Sequence, residues 1–268
     1  MRSRGSHAGS AVELALLAFF VLAVGFALVG RIVPLDSVTS WGVGYAAPSA
    51  EHVLGTDALG RDVLARTLHG GAELLGVALL ATLVSTAVGV ALGFAITGHG
   101  VLPRLVSLLV DVLVVLPSML VMMVLVFSLG SGIATMAIVM AVVTAPYLAR
   151  YTRSLARPVL SSDYVTLARL AGDPLPLVMA RDVLPAIALP LLTDTGQRFI
   201  SAVYLVASAS FLGFDPLGSG ADWGTMIQAG LAGLSLNAWA TLAPTIALAC
   251  VTVSGNLLID RLGKRGEL

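Results

Sequence analysis

Asp163-Tyr164-Val165-Thr166-Leu167-Ala168-Arg169-Leu170-Ala171-Gly172-Asp173-Pro174, running on to Leu184-Pro185, is a polar, arginine-bearing island between long apolar runs. It is too charged to cross a bilayer, because Asp or Arg at a helix centre costs about 2.5–3.5 kcal/mol on insertion scales. It is also too patterned for a slack linker. Between membrane-spanning helices, such a segment reads as a docking element on the polar side.

The surrounding composition supports that setting. The chain is 57% hydrophobic and only 11% charged, with no net charge, and its mean hydropathy is +0.97. Soluble globular domains carry about 25% charged residues. Cys250 is the one cysteine and lies in an apolar run, so it reads as a packing residue. His7, His52, His69 and His99 have no metal-ligand spacing. No basic patch is interleaved with aromatic residues, which argues against nucleic-acid binding.

A hydrocarbon core of about 30 Å takes roughly 20 apolar residues per helix. On that measure the chain reads as all-α with six transmembrane (TM) helices. A cytoplasmic N-terminus (1–10) precedes TM1 (11–30) and an external segment (31–73). The core over 74–262 holds TM2 (74–97), TM3 (105–127), TM4 (133–149), a cytoplasmic loop (150–189), TM5 (190–213), an external loop (214–235) and TM6 (236–259). A cytoplasmic tail (260–268) closes the chain. The uncharged run 112–149 is too long for one helix, and Ser128-Leu129-Gly130-Ser131-Gly132 divides it into a hairpin. With both termini inside, the cytoplasmic segments gather Arg104, Arg150, Arg153, Arg157, Arg169 and Arg181 besides the basic ends, whereas the external ones hold only Arg31, Arg61 and Arg66. That arrangement obeys the positive-inside bias. TM1 is long for the core of a secretory signal and is expected to be retained.

In the external segment, Thr56 is placed to cap a short amphipathic helix starting at Asp57. Asp57/Arg61 and Asp62/Arg66 stand at i,i+4, and Gly70-Gly71 is expected to stop the helix. The segment reads as a brace on the membrane surface or, alternatively, as a substrate contact. Asp57, Arg61, Asp62, Asp215 and Trp223 are its candidates, with those of the second loop, for an external gate or a binding-protein contact. Trp223 suits the interfacial aromatic belt. Asp111, Asp194 and Arg198 are the intramembrane polar residues. They fall near helix ends, and Asp111 is expected to pair with a basic group of a neighbouring span. Gly89-x-x-x-Gly93 favours close helix approach.

His52-Val53-Leu54-Gly55-Thr56-Asp57-Ala58-Leu59-Gly60-Arg61-Asp62 resembles the Leu-Gly-Thr-Asp…Gly-Arg-Asp segment of the dipeptide, oligopeptide and nickel ABC importer permeases, in particular their C-type (DppC/OppC-like) subunit. The resemblance continues through Asp111, Pro117-Ser118, Asp163-Tyr164-Val165, Ser210-Phe211-Leu212-Gly213-Phe214, Trp223-Gly224, Ala229-Gly230, Trp239, Pro244 and Asn256. It covers about residues 52–261 in order. The family's ATPase-docking signature is Glu-Ala-Ala, three residues, Gly, then a fixed gap to Leu-Pro. Thr166-Leu167-Ala168, Gly172 and Leu184-Pro185 occupy those places, with Thr166 for the usual glutamate and Asp182 where histidine is common. At the C-terminal end, Asp260-Arg261-Leu262-Gly263 matches the family only in part.

The resemblance implies a type I ABC importer permease (MetI-like) fold and an ATPase-coupling set of Thr166, Leu167, Ala168, Arg169, Gly172, Asp173, Pro174, Arg181, Leu184 and Pro185. A short coupling helix over about 168–178, with Gly172 allowing close backbone approach, would enter a groove on the ATPase. Arg169 and Arg181 would meet acidic groups there. The chain lacks the Gly-x-x-x-x-Gly-Lys-Ser/Thr loop, so it is expected not to be an enzyme and to bind no cofactor itself. ATP and Mg would belong to partner ATPases. The implied partners are a second homologous permease (DppB/OppB-like), two ATPase subunits or domains, an extracytoplasmic substrate-binding protein and membrane lipid. Peptides are the expected cargo, with nickel chelates or haem as alternatives. The rival from another class is an ion-coupled secondary transporter using Asp111, Asp194 and Arg198 as a relay. A non-transporting membrane scaffold would explain the spans but not the docking spacing.

Overall fold

The computed structural model describes residues 17–22, 24–26, 37–98, 100–218 and 220–266. Helix α1 (Leu17–Phe26) is described over 17–22 and 24–26. The rest of the expected span 11–30 lies outside the described residues. There follow α2 (Val63–Ala95), α3 (Val101–Val115), α4 (Ser118–Leu129), α5 (Ile133–Val143), α6 (Ala145–Leu160), α7 (Asp163–Leu170), α8 (Leu175–Val178), α9 (Leu184–Phe211), α10 (Trp223–Gly230) and α11 (Trp239–Gly266). Among the described residues the only β pairing is an isolated bridge between Thr56 and Asp62.

Three helices are long and apolar enough to cross a membrane, and two bent pairs bring the number to five. The pairs are bent for identifiable reasons. TM3, expected as one helix over 105–127, is two helices at 97° because Pro117 has no N–H to donate and forces Leu116 into an extended conformation. TM4, expected over 133–149, bends by 45° at Thr144 and continues as α6 to Leu160. The loop expected to start at residue 150 therefore begins as helix. The hairpin break falls between α4 and α5, at Gly130-Ser131-Gly132.

α2 is the central pillar, packed against α5, α6 and α9. Its buried face is made of small residues, Ala78, Ala81, Thr82, Ser85, Gly89 and Gly93, while Leu79, Leu80, Leu83 and Val84 point outward. Lipid is as apolar as leucine, so helices gain from contact only where backbones come close. A Cβ on Gly89 would lie 3.0 Å from the Ala145 carbonyl oxygen, and one on Gly93 2.9 Å from that of Ala149 and 2.5 Å from the Thr152 Cβ. The same device joins α9 to α11, where Gly255 receives Ile200 and Gly196 faces Ile259.

The chain alternates between two ends. At one, here the cap end, residues 37–62 pack against 213–238; at the other, the arginine end, lie the start of α3, the end of α6, α7 and α8. The cap corrects the expected amphipathic helix. Residues 56–62 form a tight turn, with Gly60 N donating to Asp57 O at 3.0 Å and Gly60 at φ +73°. Thr56 does not cap a helix: its hydroxyl donates to Val43 O (2.7 Å) and accepts from Ala46 N (2.8 Å). Asp62 is the N-cap instead, accepting from Ala65 N at 2.7 Å, and α2 starts at Val63. Gly70-Gly71 does not stop the helix. Gly70 is small because the Ala221 carbonyl oxygen sits 2.1 Å from where its Cβ would be.

The ion pairs are also redistributed. Asp57 accepts from the backbone of Leu59 (2.8 Å) and Arg61 (3.0 Å), from Arg61 Nε (2.9 Å) and from the buried Arg66. Asp62 does not pair with Arg66; it lies 2.9 Å from His52 Nδ1. Arg66 reaches across to donate to Gly220 O at 2.7 Å. Burial pushes the Asp57 carboxyl up, but the N–H donors of Arg61 and Leu59 and the guanidinium of Arg66 outweigh it and hold the group below the usual carboxylate range.

Two outcomes follow for stability. Gly93→Leu should lower it by about 2 kcal/mol through overpacking against Thr152, whereas Gly76→Leu, whose Cβ would meet nothing within 4 Å, should stay within about 0.5 kcal/mol. Thermal unfolding in detergent measures both. Asp57→Asn should cost about 3 kcal/mol because Arg66 is left buried without its carboxylate. A carboxylate with a depressed folded pKa stabilises above its unfolded value, so this contribution should be intact at neutral pH and fade as pH falls below about 4.

Candidate functional site

The arginine end carries a projecting helix. α7 is seated by Val165 and Ala168 on a cluster that includes Leu148 and Ala156 of α6 and Ile187 and Leu191 of α9. Its outer side leaves Tyr164, Leu167 and Leu170 exposed at 52, 65 and 79%. At three-residue spacing these side chains form one apolar ridge. Thr166 is exposed, its hydroxyl donating to Ser162 O at 3.0 Å within the helix. Where one helix over 168–178 was expected, α7 ends at Leu170 and α8 covers only Leu175–Val178. α7 cannot continue, because Asp173 precedes a proline and is held out of helical backbone. Gly172 turns the chain at φ +97°, a conformation that favours glycine, and a Cβ there would meet nothing within 4 Å. Within this chain its role is the turn and not a close approach.

Pro174 and Pro176 start the short helix α8, which joins α9 through a π-helical turn, Met179–Val183. Pro185 cannot donate a backbone hydrogen bond to that turn, which accounts for the widened winding before it. Within this chain Arg181, expected to face a partner's acidic groups, is half exposed and donates to Asp173 (2.8 Å) and Asp182 (3.0 Å). It clamps the start of α8 to the start of α9. Arg169 is exposed and lines a separate cavity at this end.

A second cavity, of about 730 Å³, opens along α9 and α11. Gln197, Ser201, Tyr204 and Ser208 of α9 line it, with Asn256 of α11, Tyr147 of α6 and apolar residues such as Met140 and Val143. Gln197 Nε2 donates to Asn256 Oδ1 at 3.0 Å. Apart from Asn256, which entered only through the resemblance, the sequence reading missed this stripe. Its signal was present: polar residues at 197, 201, 204 and 208 recur at helical spacing through an apolar span.

Asp111, Asp194 and Arg198 are each paired. Asp111 accepts from Arg150 Nε (2.9 Å) and Nη2 (2.6 Å), the neighbouring-span partner that was expected. Asp194 and Arg198 pair with each other one turn apart, and Arg198 Nη1 also donates to Thr144 O at 3.1 Å. The second pair thus braces the bend between α5 and α6.

The cap residues are spread unevenly. Asp57 and Asp62 are engaged internally, as described, and Arg61 with them. Asp215 caps its own turn, accepting from Gly218 N at 2.9 Å. Trp223 is not in an interfacial belt: it is fully buried, and its Nε1 donates to Thr67 O at 2.7 Å. The neighbouring Asp222, which sequence reading passed over, caps α10 by accepting from Gly224 N at 2.8 Å. Burial pushes its carboxyl up, against the opposing N–H donors of Gly224 and Thr225. Asn237 ties the two cap segments together, donating to Leu54 O and Thr56 O at 3.0 Å each.

Comparison with known proteins fits this geometry. Residues 85–266 match the family model for the binding-protein-dependent transport system inner membrane component. The chain is 33% identical over 215 residues to the di/tripeptide transport system permease protein DppC of Pseudomonas aeruginosa, covering 80% of this chain and 71% of that protein. It is 30% identical over 208 residues to the peptide transport system permease protein SapC of Escherichia coli, covering 77% and 70%. A solved structure of the MetNI methionine ABC transporter in an inward-facing conformation superposes with a TM-score of 0.55 at 18% identity, over 73% of this chain and 95% of the solved one. The fold is accordingly that of a type I ABC importer permease, and the chain is a multi-pass membrane protein that belongs to the inner membrane components of binding-protein-dependent transport systems.

Proposed function

We propose that this chain is one of two permease subunits of an ATP-driven importer, forming half of the pathway by which peptides enter the cell. One observation carries the reading: the exposed ridge of α7 is built into the same continuous stretch of chain that lines the polar cavity. α7 runs through the Arg181-clamped turn into α9, and α9 presents Gln197, Ser201, Tyr204 and Ser208. A push on the ridge is thereby a push on the cavity wall. Two ATPase subunits or domains, holding ATP and Mg, receive the ridge in a groove, with Tyr164, Leu167 and Leu170 as its apolar anchors. This chain performs no hydrolysis of its own.

The arginine end faces the cytoplasm, as the positive-inside bias requires, and both termini lie on that side. The cap end faces outward and receives the substrate-binding protein. A second homologous permease closes the open side of the cavity. Peptide cargo is supported by the names of the relatives and by the lining, since hydroxyl and amide groups at successive helical turns offer donors and acceptors to peptide bonds along a moving chain. Nickel chelates or haem carried by the same machinery would find no such ladder of use. The paired state of Asp111, Asp194 and Arg198 counts against the ion-relay alternative.

Leu167→Asp together with Leu170→Asp should abolish co-purification of the ATPases and stop uptake while leaving the thermal unfolding of the chain unchanged. Continued co-purification would remove α7 from the docking role. Ser201→Trp should leave the assembly intact and reduce peptide uptake at least tenfold by filling the cavity; unimpaired uptake would mean that cargo does not pass this face. Such a loss corresponds to about 1.4 kcal/mol in the transport barrier.

A further inference from the structure

We infer that the arginine end holds a binding site for a phosphate group, in the cavity of about 910 Å³ between α3, α6, α7 and the α2–α3 turn. The argument starts from the register of α3 against α6. Tyr147 Oη donates to Val114 O at 2.8 Å, Arg150 to Asp111 at 2.6 Å and Arg153 Nη1 to Ser107 Oγ at 3.1 Å. These three rungs step down an antiparallel pair of helices, one residue number rising by three as the other falls by three or four. The next rung brings Arg104 opposite Arg157, and both line the cavity. Where the earlier rungs set a carbonyl, a carboxylate and a hydroxyl before a donor, this one offers an arginine on each helix.

Nothing among the described residues neutralises that rung. Arg104, Arg157 and Arg169, which enters from α7, take part in no ion pair there, and the lone acid in the lining, Asp111, is bound by Arg150. Arg153 lines the same cavity beside them. α3 begins here at Gly100, with no side-chain cap on its first N–H groups. Guanidinium forks and uncapped helix amides both match the oxygens of a phosphate. Leu108, Leu160 and Leu175 complete the wall, so the chemistry suits either the phosphate of an anionic phospholipid headgroup or a soluble phosphate compound. This site is separate from the cavity along α9, and its test does not depend on which cargo the transporter carries.

The full-length chain, purified in neutral detergent, is assayed with phosphatidylglycerol and with inorganic phosphate as probes. Retained lipid is counted by native mass spectrometry, and thermal unfolding is followed with each probe. The wild type should bind an anion and unfold at higher temperature with it, and Arg104→Gln with Arg157→Gln should weaken binding about tenfold or more. Retention of phosphatidylglycerol without a response to inorganic phosphate assigns the site to a headgroup, and the reverse assigns it to a soluble phosphate compound. Arg104→Glu supplies the missing carboxylate opposite Arg157, so it should raise the unfolding temperature of the anion-free protein and abolish the response to either probe. That variant keeps the idea testable if the double variant folds poorly. Equal retention by wild type and variants, or no response of the wild type to either probe, would overturn the proposal, including the case in which the arginine variants lose only their hold on a protein partner.

Discussion

The close contact of α2 with α6 is the constraint on which the rest of the structure depends. Without water, an apolar helix gains little by exchanging lipid for another apolar helix, so association must come from dispersion at short range and from satisfied polar groups. Gly89 and Gly93 let the two backbones approach until carbonyl oxygens of Ala145 and Ala149 lie against α2. α6 then has a fixed height and rotation. That rotation turns Arg150 and Arg153 toward α3 and places Leu148 and Ala156 under α7. The geometry of the arginine end is thus inherited from two hydrogen atoms where side chains would otherwise stand.

The connection between α7 and α9 has a comparable physical basis. A loop between α7 and α9 would absorb displacement, but this connection leaves little slack. Pro174 and Pro176 restrict backbone torsions, α8 is helical, the π-helical turn keeps its hydrogen bonds, and Arg181 binds Asp173 and Asp182 across the join. Charge-assisted hydrogen bonds of this geometry are stronger than neutral ones even where partly exposed. α9 in turn is locked to α11 by Ile200 against Gly255. A helix that moves as a body can change the width of the cavity it lines, and hinge positions such as the α3–α4 break at Pro117 lie outside that body.

How much of this was legible in the sequence divides along the range of the interactions. The polar island, the hairpin at Gly130-Ser131-Gly132 and the small-residue face of α2 are written in local composition and spacing, and sequence alone identifies them. The pairing of Asp111 was legible in kind, since an intramembrane carboxylate needs a cation, but not in identity. The cap was misread for one reason. An i,i+4 rule sees Asp62 and Arg66 on one helix; it cannot see His52 arriving at Asp62, or Asp57 and Gly220 together claiming Arg66. Likewise Gly70 resembles a stop signal until the Ala221 carbonyl oxygen is found beside it. Trp223 reads as interfacial by residue type, and only the fold supplies the Thr67 carbonyl that accepts its N–H in the interior. The polar stripe of α9 is legible by period, but its hydroxyl and amide groups carry no charge to set them apart from the packing residues of an apolar span.

The two ends of the molecule are stabilised by opposite means. At the cap end, side chains bind backbone carbonyls and amides far away in sequence: Tyr45 to Ala229, Arg66 to Gly220, Asn237 to Leu54 and Thr56. Such bonds fix backbone against backbone and leave few alternatives, because each buried amide or carbonyl would go unpaired if shifted. At the arginine end, the polar contacts between α3 and α6 run through long side chains, Arg150 to Asp111 and Arg153 to Ser107. Guanidiniums on flexible stems can follow a partner through a displacement without losing it. Backbone is thus fixed against backbone at the cap, whereas the polar contacts between α3 and α6 at the arginine end run through side chains that can adjust.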